Sequence, residues 1–253
     1  MIDLTGRHVF VAGGSRGIGA GAARLAAKLG ARVSLTYIAN AAAADAVMAD
    51  ITAAGGEAAA FRADLQDEAQ VDAAVDAAAA RFGPPHGVVV SAGVFEHMPI
   101  ETMTLEFWNR TMSINLTGTF LVVRAAARHL RAAGQGGSIV IYTSTAGQSG
   151  GGGGSSAYAT SKAGQIIFMR CMAKELAPDR IRVNCIAPAW TETDMAAASI
   201  ERIGREEMAR SFPLGRIGQV EDVANATCFL LSDAAEFITG STVTVDGGIA
   251  MRG

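Results

Sequence analysis

The stretch Val11-Ala12-Gly13-Gly14-Ser15-Arg16-Gly17-Ile18-Gly19 decides the fold. A β-branched run, His8 to Ala12, leads into a glycine-rich turn. A helical pattern follows from Gly17 to Gly30, in which Ile18, Ala22, Leu25, Ala26 and Leu29 keep one face apolar. Strand, turn and helix in that order aim the first N–H groups of the helix, and the positive end of its dipole, at a point where a pyrophosphate can bind. Glycine permits the tight turn and the close approach of backbone to ligand. Taken alone, the stretch also reads as an ordinary glycine-rich turn, so its surroundings matter.

Those surroundings repeat the unit. Strand patterns at Arg32 to Tyr37, Glu57 to Arg62, Gly87 to Ser91, Ser138 to Thr143, Ile181 to Ile186 and Thr242 to Val245 alternate with helical ones. The helices cover Ala41 to Ala54, a stretch capped by Asp67 with Gln70 as its capping-box partner, Leu105 to Ala133, Ala157 to Leu176, and Val220 to Leu231. Gly87 to Ser91 (GVVVS) is nearly all valine, as a strand covered on both faces should be. This rhythm predicts an α/β fold: one doubly wound Rossmann-type domain over residues 1–253, with a seven-stranded parallel sheet flanked by helices on both faces. Two stretches break the pattern. Residues 147–154 (GQSGGGGG) are expected to form a mobile loop. Residues 188–213 are too long for a simple turn and are expected to cover the substrate.

Composition narrows the function. The formal charge of −3 and the lack of a Lys/Arg cluster give nucleic acid little to bind. No run of 18 apolar residues could span a bilayer, and Met1 to Arg7 lacks the features of a signal peptide. A cytoplasmic protein with no membrane partner is expected. Cys171, Cys185 and Cys228 are isolated among apolar neighbours, which predicts three buried thiols with no disulfide and no metal site.

Tyr158-Ala159-Thr160-Ser161-Lys162 carries the chemistry. A tyrosine and a lysine four apart share one helix face, so their polar ends can converge. A free phenol titrates near 10, and a nearby ammonium would bring it towards the working range of an acid-base catalyst. Ser144 ends a strand 14 positions earlier, and Asn115 lies in Ser113-Ile114-Asn115-Leu116-Thr117-Gly118. Alone, these read equally as a strand-end hydroxyl and a buried helix amide.

Taken together, these motifs resemble the classical short-chain dehydrogenase/reductase family, including its 3-oxoacyl carrier-protein reductase-like members. The family's Thr-Gly-x-x-x-Gly-x-Gly is matched at Gly13, Gly17 and Gly19, with Ala12 in place of the turn-steadying threonine. The resemblance implies a catalytic tetrad of Asn115, Ser144, Tyr158 and Lys162, in which Asn115 holds a water against the lysine. It also implies cofactor contacts from Gly13, Ser15, Arg16, Gly17, Ile18 and Gly19, and from Tyr37 and Asn40 at the exit of the second strand. Asp64 and Leu65 would meet the adenine, and Ser91, Ala92 and Gly93 the cofactor's middle; Ser91 stands where an asparagine is usual. Pro188 and Thr191 would meet the nicotinamide end, with Ala189 in place of the usual glycine. No acidic residue follows Thr36-Tyr37, and Arg16 offers a partner for a 2′-phosphate, so NADP(H) is expected over NAD(H). On its own residues Arg16 also reads as a solvated surface side chain.

The implied activity is reduction of a small-molecule ketone or aldehyde. The alternatives are NAD-dependent oxidation of a secondary alcohol or sugar, and a cofactor-binding scaffold without turnover. Trp190, Met195 and Phe212 are candidates for the pocket wall or for lid packing. Ile114 to Ala127 and Ile166 to Met172 are apolar around most of their circumference, which predicts a homotetramer, or failing that a dimer. Arg124, Arg128 and Arg131 are the arginines available to dock an acidic carrier, with Asp179 among them.

Overall fold

A computed structural model describes residues 2–251; Met1, Arg252 and Gly253, the ends of the predicted domain, lie outside the described residues. β1 (His8–Ala12), β2 (Arg32–Tyr37), β3 (Glu57–Arg62), β4 (Gly87–Val90), β5 (Gly137–Tyr142), β6 (Ile181–Pro188) and β7 (Thr242–Val245) form one sheet. Its order is β3-β2-β1-β4-β5-β6-β7, and every pairing is parallel. Parallel neighbours need crossover connections, and helices provide them: α1 (Gly17–Lys28), α2 (Ala41–Ala53), α3 (Glu68–Phe82), α4 (Leu105–Met112) and α5 (Gly118–Ala133). After β5 come the short α6 (Thr145–Ser149) and the long α7 (Ser156–Leu176), then α8 (Asp194–Ile203), α9 (Arg205–Arg210) and α10 (Val220–Leu231).

Alternating side chains send each central strand into two cores. In β4, Val88 and Val90 enter the core shared with α3, α5 and α7, whereas Val89 joins the one beneath α1, α2 and α10. Each such fully buried valine contributes about 1.5–3 kcal/mol of burial. The seven-stranded, doubly wound sheet expected from the alternation is therefore present. Strand order reverses between β1 and β4, so chains leave these neighbours in opposite directions and open a crevice at their carboxyl ends.

Several local expectations need correction. The predicted helix from Leu105 to Ala133 is interrupted by a π-helical turn over Ser113–Thr117, which carries the wholly buried Asn115. One wider turn re-aims the side chains inside it. Asp67 does cap α3, accepting from the N–H groups of Ala69 and Gln70, but the Gln70 carboxamide oxygen reaches the N–H of Asp64 instead of the cap's own backbone. Cys171 is exposed, while Cys185 and Cys228 are buried and burial pushes both thiols up to about 12. Residues 188–213 are not one loop: α8 and α9 pack Ala196, Ile200, Met208 and Phe212 into a small core of their own.

The glycine-rich segment is also more ordered than its composition suggests. Thr145 to Ser149 forms α6, capped by the Ser144 hydroxyl, which accepts from the Ala146 N–H at 3.1 Å. Gly147 makes this possible. A Cβ there would lie 2.7 Å from the Lys162 carbonyl carbon and 2.9 Å from the Ala163 nitrogen, so only glycine lets α6 sit flush on α7. Gly152 has open space around it. Gly147→Ala should therefore lower the thermal midpoint by about 5 °C, from roughly 1–3 kcal/mol of overpacking. Gly152→Ala should leave it unchanged; calorimetry on the two variants checks this, and equal midpoints would contradict the packing.

Candidate active site

The turn after β1 is held from the next strand. The N–H of Gly13 donates to Thr36 Oγ1 at 2.9 Å and that of Gly14 to the Thr36 carbonyl at 3.1 Å. Ala12 cannot supply a hydroxyl, and the fully buried Thr36 does so from β2. Gly13 has φ +81°, and a Cβ on it would strike Ala92 at 2.7 Å. A Cβ on Gly19 would meet the Gly13 carbonyl at 2.3 Å and Ser91 Oγ at 2.7 Å. The turn thus packs directly on Ser91 and Ala92, which leave β4 across the crevice and donate their N–H groups to the Ala12 carbonyl.

α1 begins after Arg16 with no side chain capping its first N–H groups. Those of Gly17, Ile18 and Gly19 therefore keep their affinity for an anion. Arg16 is exposed at this point and forms no ion pair among the described residues; Ser15 lies beside it, half-buried. Bare helix N–H groups, a glycine cradle and an adjacent guanidinium suit a dinucleotide pyrophosphate.

At the outer end of the crevice, Tyr37 closes β2 half-buried and Asn40 caps α2, its Oδ1 accepting from the Ala43 N–H at 3.0 Å. Asp64 uses one carboxylate oxygen to hold the Gln66 N–H and carboxamide, an aspartate turn. Leu65 packs into the core at the start of α5 rather than standing free. At the opposite end, Pro188 terminates β6, buried beside Val245. Thr191 is buried, with its hydroxyl on the Ala189 carbonyl, and Thr193 approaches the glycine turn at Gly17.

The four residues singled out for chemistry come together beside this crevice. Lys162 is buried on α7 and its Nζ donates to the Tyr142 carbonyl at 2.8 Å, 5.7 Å from the centre of the Tyr158 ring. Thr143 Oγ1 in turn donates to the Lys162 carbonyl at 2.7 Å, which fixes α7 against the end of β5. Ser144 caps α6 with its hydroxyl and is near enough to influence the Tyr158 phenol. Burial is the larger influence on that phenol and raises its pKa above the ordinary value, with the nearby Ser144 hydroxyl pulling the other way. The expected lowering by the lysine is thus not what this arrangement produces: the phenol is protonated at neutral pH. Burial brings Lys162 down to about 8, so its ammonium form still predominates at pH 7.

Asn115 acts on the loop after β4. Its Oδ1 accepts from the Val94 N–H at 2.8 Å, and its Nδ2 donates to the Val94 carbonyl and to Ser161 Oγ. Its own carbonyl accepts from Thr119 Oγ1 at 2.7 Å and from Gln165 Nε2 at 2.8 Å. A Cβ on Gly93 would sit 3.1 Å from Asn115 Oδ1 and 3.4 Å from Lys162 Nζ, so this glycine is what lets the three groups meet.

Sequence reasoning missed the aromatic wall. Phe95 stands edge to face against Tyr158, with ring centres 4.8 Å apart, and also meets His97 at 4.7 Å and Trp190 at 5.6 Å. Of the three pocket candidates, Trp190 belongs to this wall, Phe212 is buried in the small core of α8 and α9, and Met195 is half exposed. A lone phenylalanine two residues past a glycine carries no signal of its own; only the fold brings it to the tyrosine.

Comparison with known proteins agrees with this geometry. Residues 12–250 match the family described as enoyl-(acyl carrier protein) reductase. A 3-oxoacyl-acyl-carrier-protein reductase of Synechocystis sp. is 38% identical over 252 residues, covering 99% of this chain and 100% of that protein. The cis-4-hydroxycyclohexanecarboxylate dehydrogenase of Sinomonas cyclohexanicum is 40% identical, with 96% of each chain covered. A short-chain type dehydrogenase/reductase structure from Mycobacterium ulcerans superposes with a TM-score of 0.92 at 36% identity, over 99% of this chain and 92% of that one. Among the described residues no helix is long and apolar enough to cross a membrane. The chain belongs to the short-chain dehydrogenase/reductase family and is an NAD(P)-dependent oxidoreductase that interconverts a CH–OH group and a carbonyl.

Proposed function

We propose that this enzyme is an NADPH-preferring reductase of small ketones or aldehydes, working in the cytoplasm as a single cofactor-binding catalytic unit. The observation that carries this reading is the convergence of Tyr158 and the buried Lys162 at the edge of the crevice, the lysine Nζ lying 5.7 Å from the centre of the phenol ring. The bound nicotinamide supplies the hydride. Tyr158 gives its proton to the substrate oxygen as negative charge grows there, and Ser144 donates a hydrogen bond to the same oxygen. Lys162 holds the nicotinamide ribose and stabilises the phenolate left behind. Asn115 is a positioning residue: with its amide and carbonyl engaged inside the protein, it fixes Gly93 and Val94 at the crevice wall.

Gly13, Ser15, Arg16, Gly17, Ile18 and Gly19 would hold the phosphates, and Tyr37 and Asn40 the adenosine ribose. Asp64 and Leu65 would flank the adenine, Ser91, Ala92 and Gly93 the central ribose, and Pro188 and Thr191 the carboxamide. The absence of an acid after β2 and the free Arg16 guanidinium favour the 2′-phosphate of NADP(H), with NAD(H) as the weaker cofactor. A homotetramer is supported by an apolar groove between α5 and α7, lined by Leu116, Phe120, Gly164, Ile167 and Phe168. Ile167 is 56% exposed there.

Tyr158→Phe should cut carbonyl reduction by about 10²–10⁴-fold while NADPH binding, followed by nucleotide fluorescence, stays unchanged; near-normal turnover would refute the acid. Arg16→Ala should raise the KM for NADPH about tenfold, the cost of one charge-assisted bond, and leave that for NADH alone. Equal effects on both would favour NAD-dependent alcohol oxidation. Light scattering should give four times the 26.0 kDa chain mass; a monomer at micromolar concentration would exclude the assembly.

A further inference from the structure

Behind Asn115 lies a second buried amide, to which the mechanism gives no role. Gln165 is fully buried on α7, three residues past Lys162. Its Nε2 donates to the Asn115 carbonyl at 2.8 Å and to Thr119 Oγ1 at 2.6 Å. Thr119 Oγ1 donates its own proton to the same carbonyl, at 2.7 Å. Both lone pairs of that carbonyl are therefore taken, and both N–H bonds of the carboxamide are in use. The amide cannot be turned round, because its oxygen would then face an acceptor with no proton to give. In this orientation Gln165 Oε1 is buried with no partner among the described residues.

A buried acceptor without a donor costs stability, and an apolar side chain of matching length would not incur that cost. What Gln165 supplies in return is position. Tyr158, Ser161, Lys162 and Gln165 follow one another at helical spacing along one side of α7. Asn115 Nδ2 donates to Ser161 Oγ at 3.0 Å, and Ser161 Oγ donates to the Tyr158 carbonyl at 2.7 Å. The residue before Lys162 and the residue three after it thus both bind Asn115. The lysine sits between two points at which α7 is fastened to the π-helical turn. The same asparagine holds Val94 through its Oδ1 and Nδ2, and its Oδ1 and Lys162 Nζ both crowd Gly93. A shift of the Asn115 backbone would move the crevice wall relative to the ammonium. Misplacement by about 1 Å at such a site can cost about 10²-fold in rate.

We propose that Gln165 is a positioning residue for the carbonyl–alcohol reaction, clamping the Asn115 carbonyl so that Gly93, Val94 and Lys162 keep one spacing. This rests on the reading of Asn115, Tyr158 and Lys162 given above. Gln165→Met tests it, since methionine matches the length, lacks the donor and leaves the Asn115 carbonyl its bond from Thr119. Three quantities are measured on the full chain. They are the thermal midpoint, deuterium exchange at the Val94 amide, and kcat with NADPH for cyclohexanone and a 3-oxobutanoyl thioester of acyl carrier protein. The kcat measurement is repeated with Gln165→Met added to Asn115→Ala.

Val94 should exchange about tenfold faster in Gln165→Met, the restraint of about one hydrogen bond. The midpoint should stay within about 2 °C of the original or rise, because the orphaned acceptor is gone. At saturating carbonyl and NADPH, kcat should fall about tenfold, again one hydrogen bond's worth. In the Asn115→Ala background the same change should lower kcat no further, since the side chain it positions is absent. A packing role would instead lower kcat by the same factor in both backgrounds. A Gln165→Met protein that unfolds, keeps Val94 exchange unchanged or retains full kcat would overturn the inference and leave Tyr158 and Lys162 in place. Full kcat in Asn115→Ala alone would remove Asn115 from the site, and this inference with it. If neither carbonyl were reduced, the reductase reading would fail, and exchange at Val94 would still decide the clamp.

Discussion

A buried ammonium governs the architecture around the site. Lys162 is closed off from water on α7, and burial lowers its pKa to about 8. Taking the charge out of water costs about 3 kcal/mol on that shift. Among the described residues the Tyr142 carbonyl is its one hydrogen-bond partner, and the surrounding structure is shaped to hold the two together. Thr143 ties the lysine's own carbonyl to β5, Gly147 lets α6 close over α7 at that residue, and Gly93 leaves room for the ammonium beside Asn115. Stability is thus surrendered at one point to keep a cation buried beside the crevice, a pattern that clusters at functional sites.

In the proposed reaction the phenol and the ammonium divide the electrostatic work. Burial acts on both, pushing the tyrosine towards its neutral form and the lysine towards its own. A neutral phenol is the form that can give a proton, and an ammonium that survives at neutral pH is the form that can stabilise what remains. Low dielectric strengthens every such interaction, which is why a few hydrogen bonds at the strand ends can direct the chemistry.

Much of this was legible in the chain itself. The alternation of strand and helix, the position of the glycine turn after the first strand, and the tyrosine–lysine pair each arise from local spacing, and local spacing survives in a sequence. What was hidden depends on contacts between distant segments. Thr36 supports a turn 23 residues earlier, Gly147 is compelled by a helix that starts nine residues later, and Phe95 gains meaning only against Tyr158 and Trp190. The π-helical turn at Asn115 reads as plain helix because apolar periodicity does not register one added residue in a single turn. Cys171 reads as buried because its neighbours are apolar, yet it lies on the side of α7 that the sheet does not cover.

Thr36 carries a last consequence. Its hydroxyl and carbonyl meet the turn one step beyond the final paired residues of the two strands, Val11 and Leu35. The loop therefore inherits its shape from strand alignment. A slip of one residue between β1 and β2 would rotate that threonine to the opposite face and leave two glycine amides without partners. Nucleotide affinity in this protein is, in effect, a gauge of whether the first two strands have registered correctly.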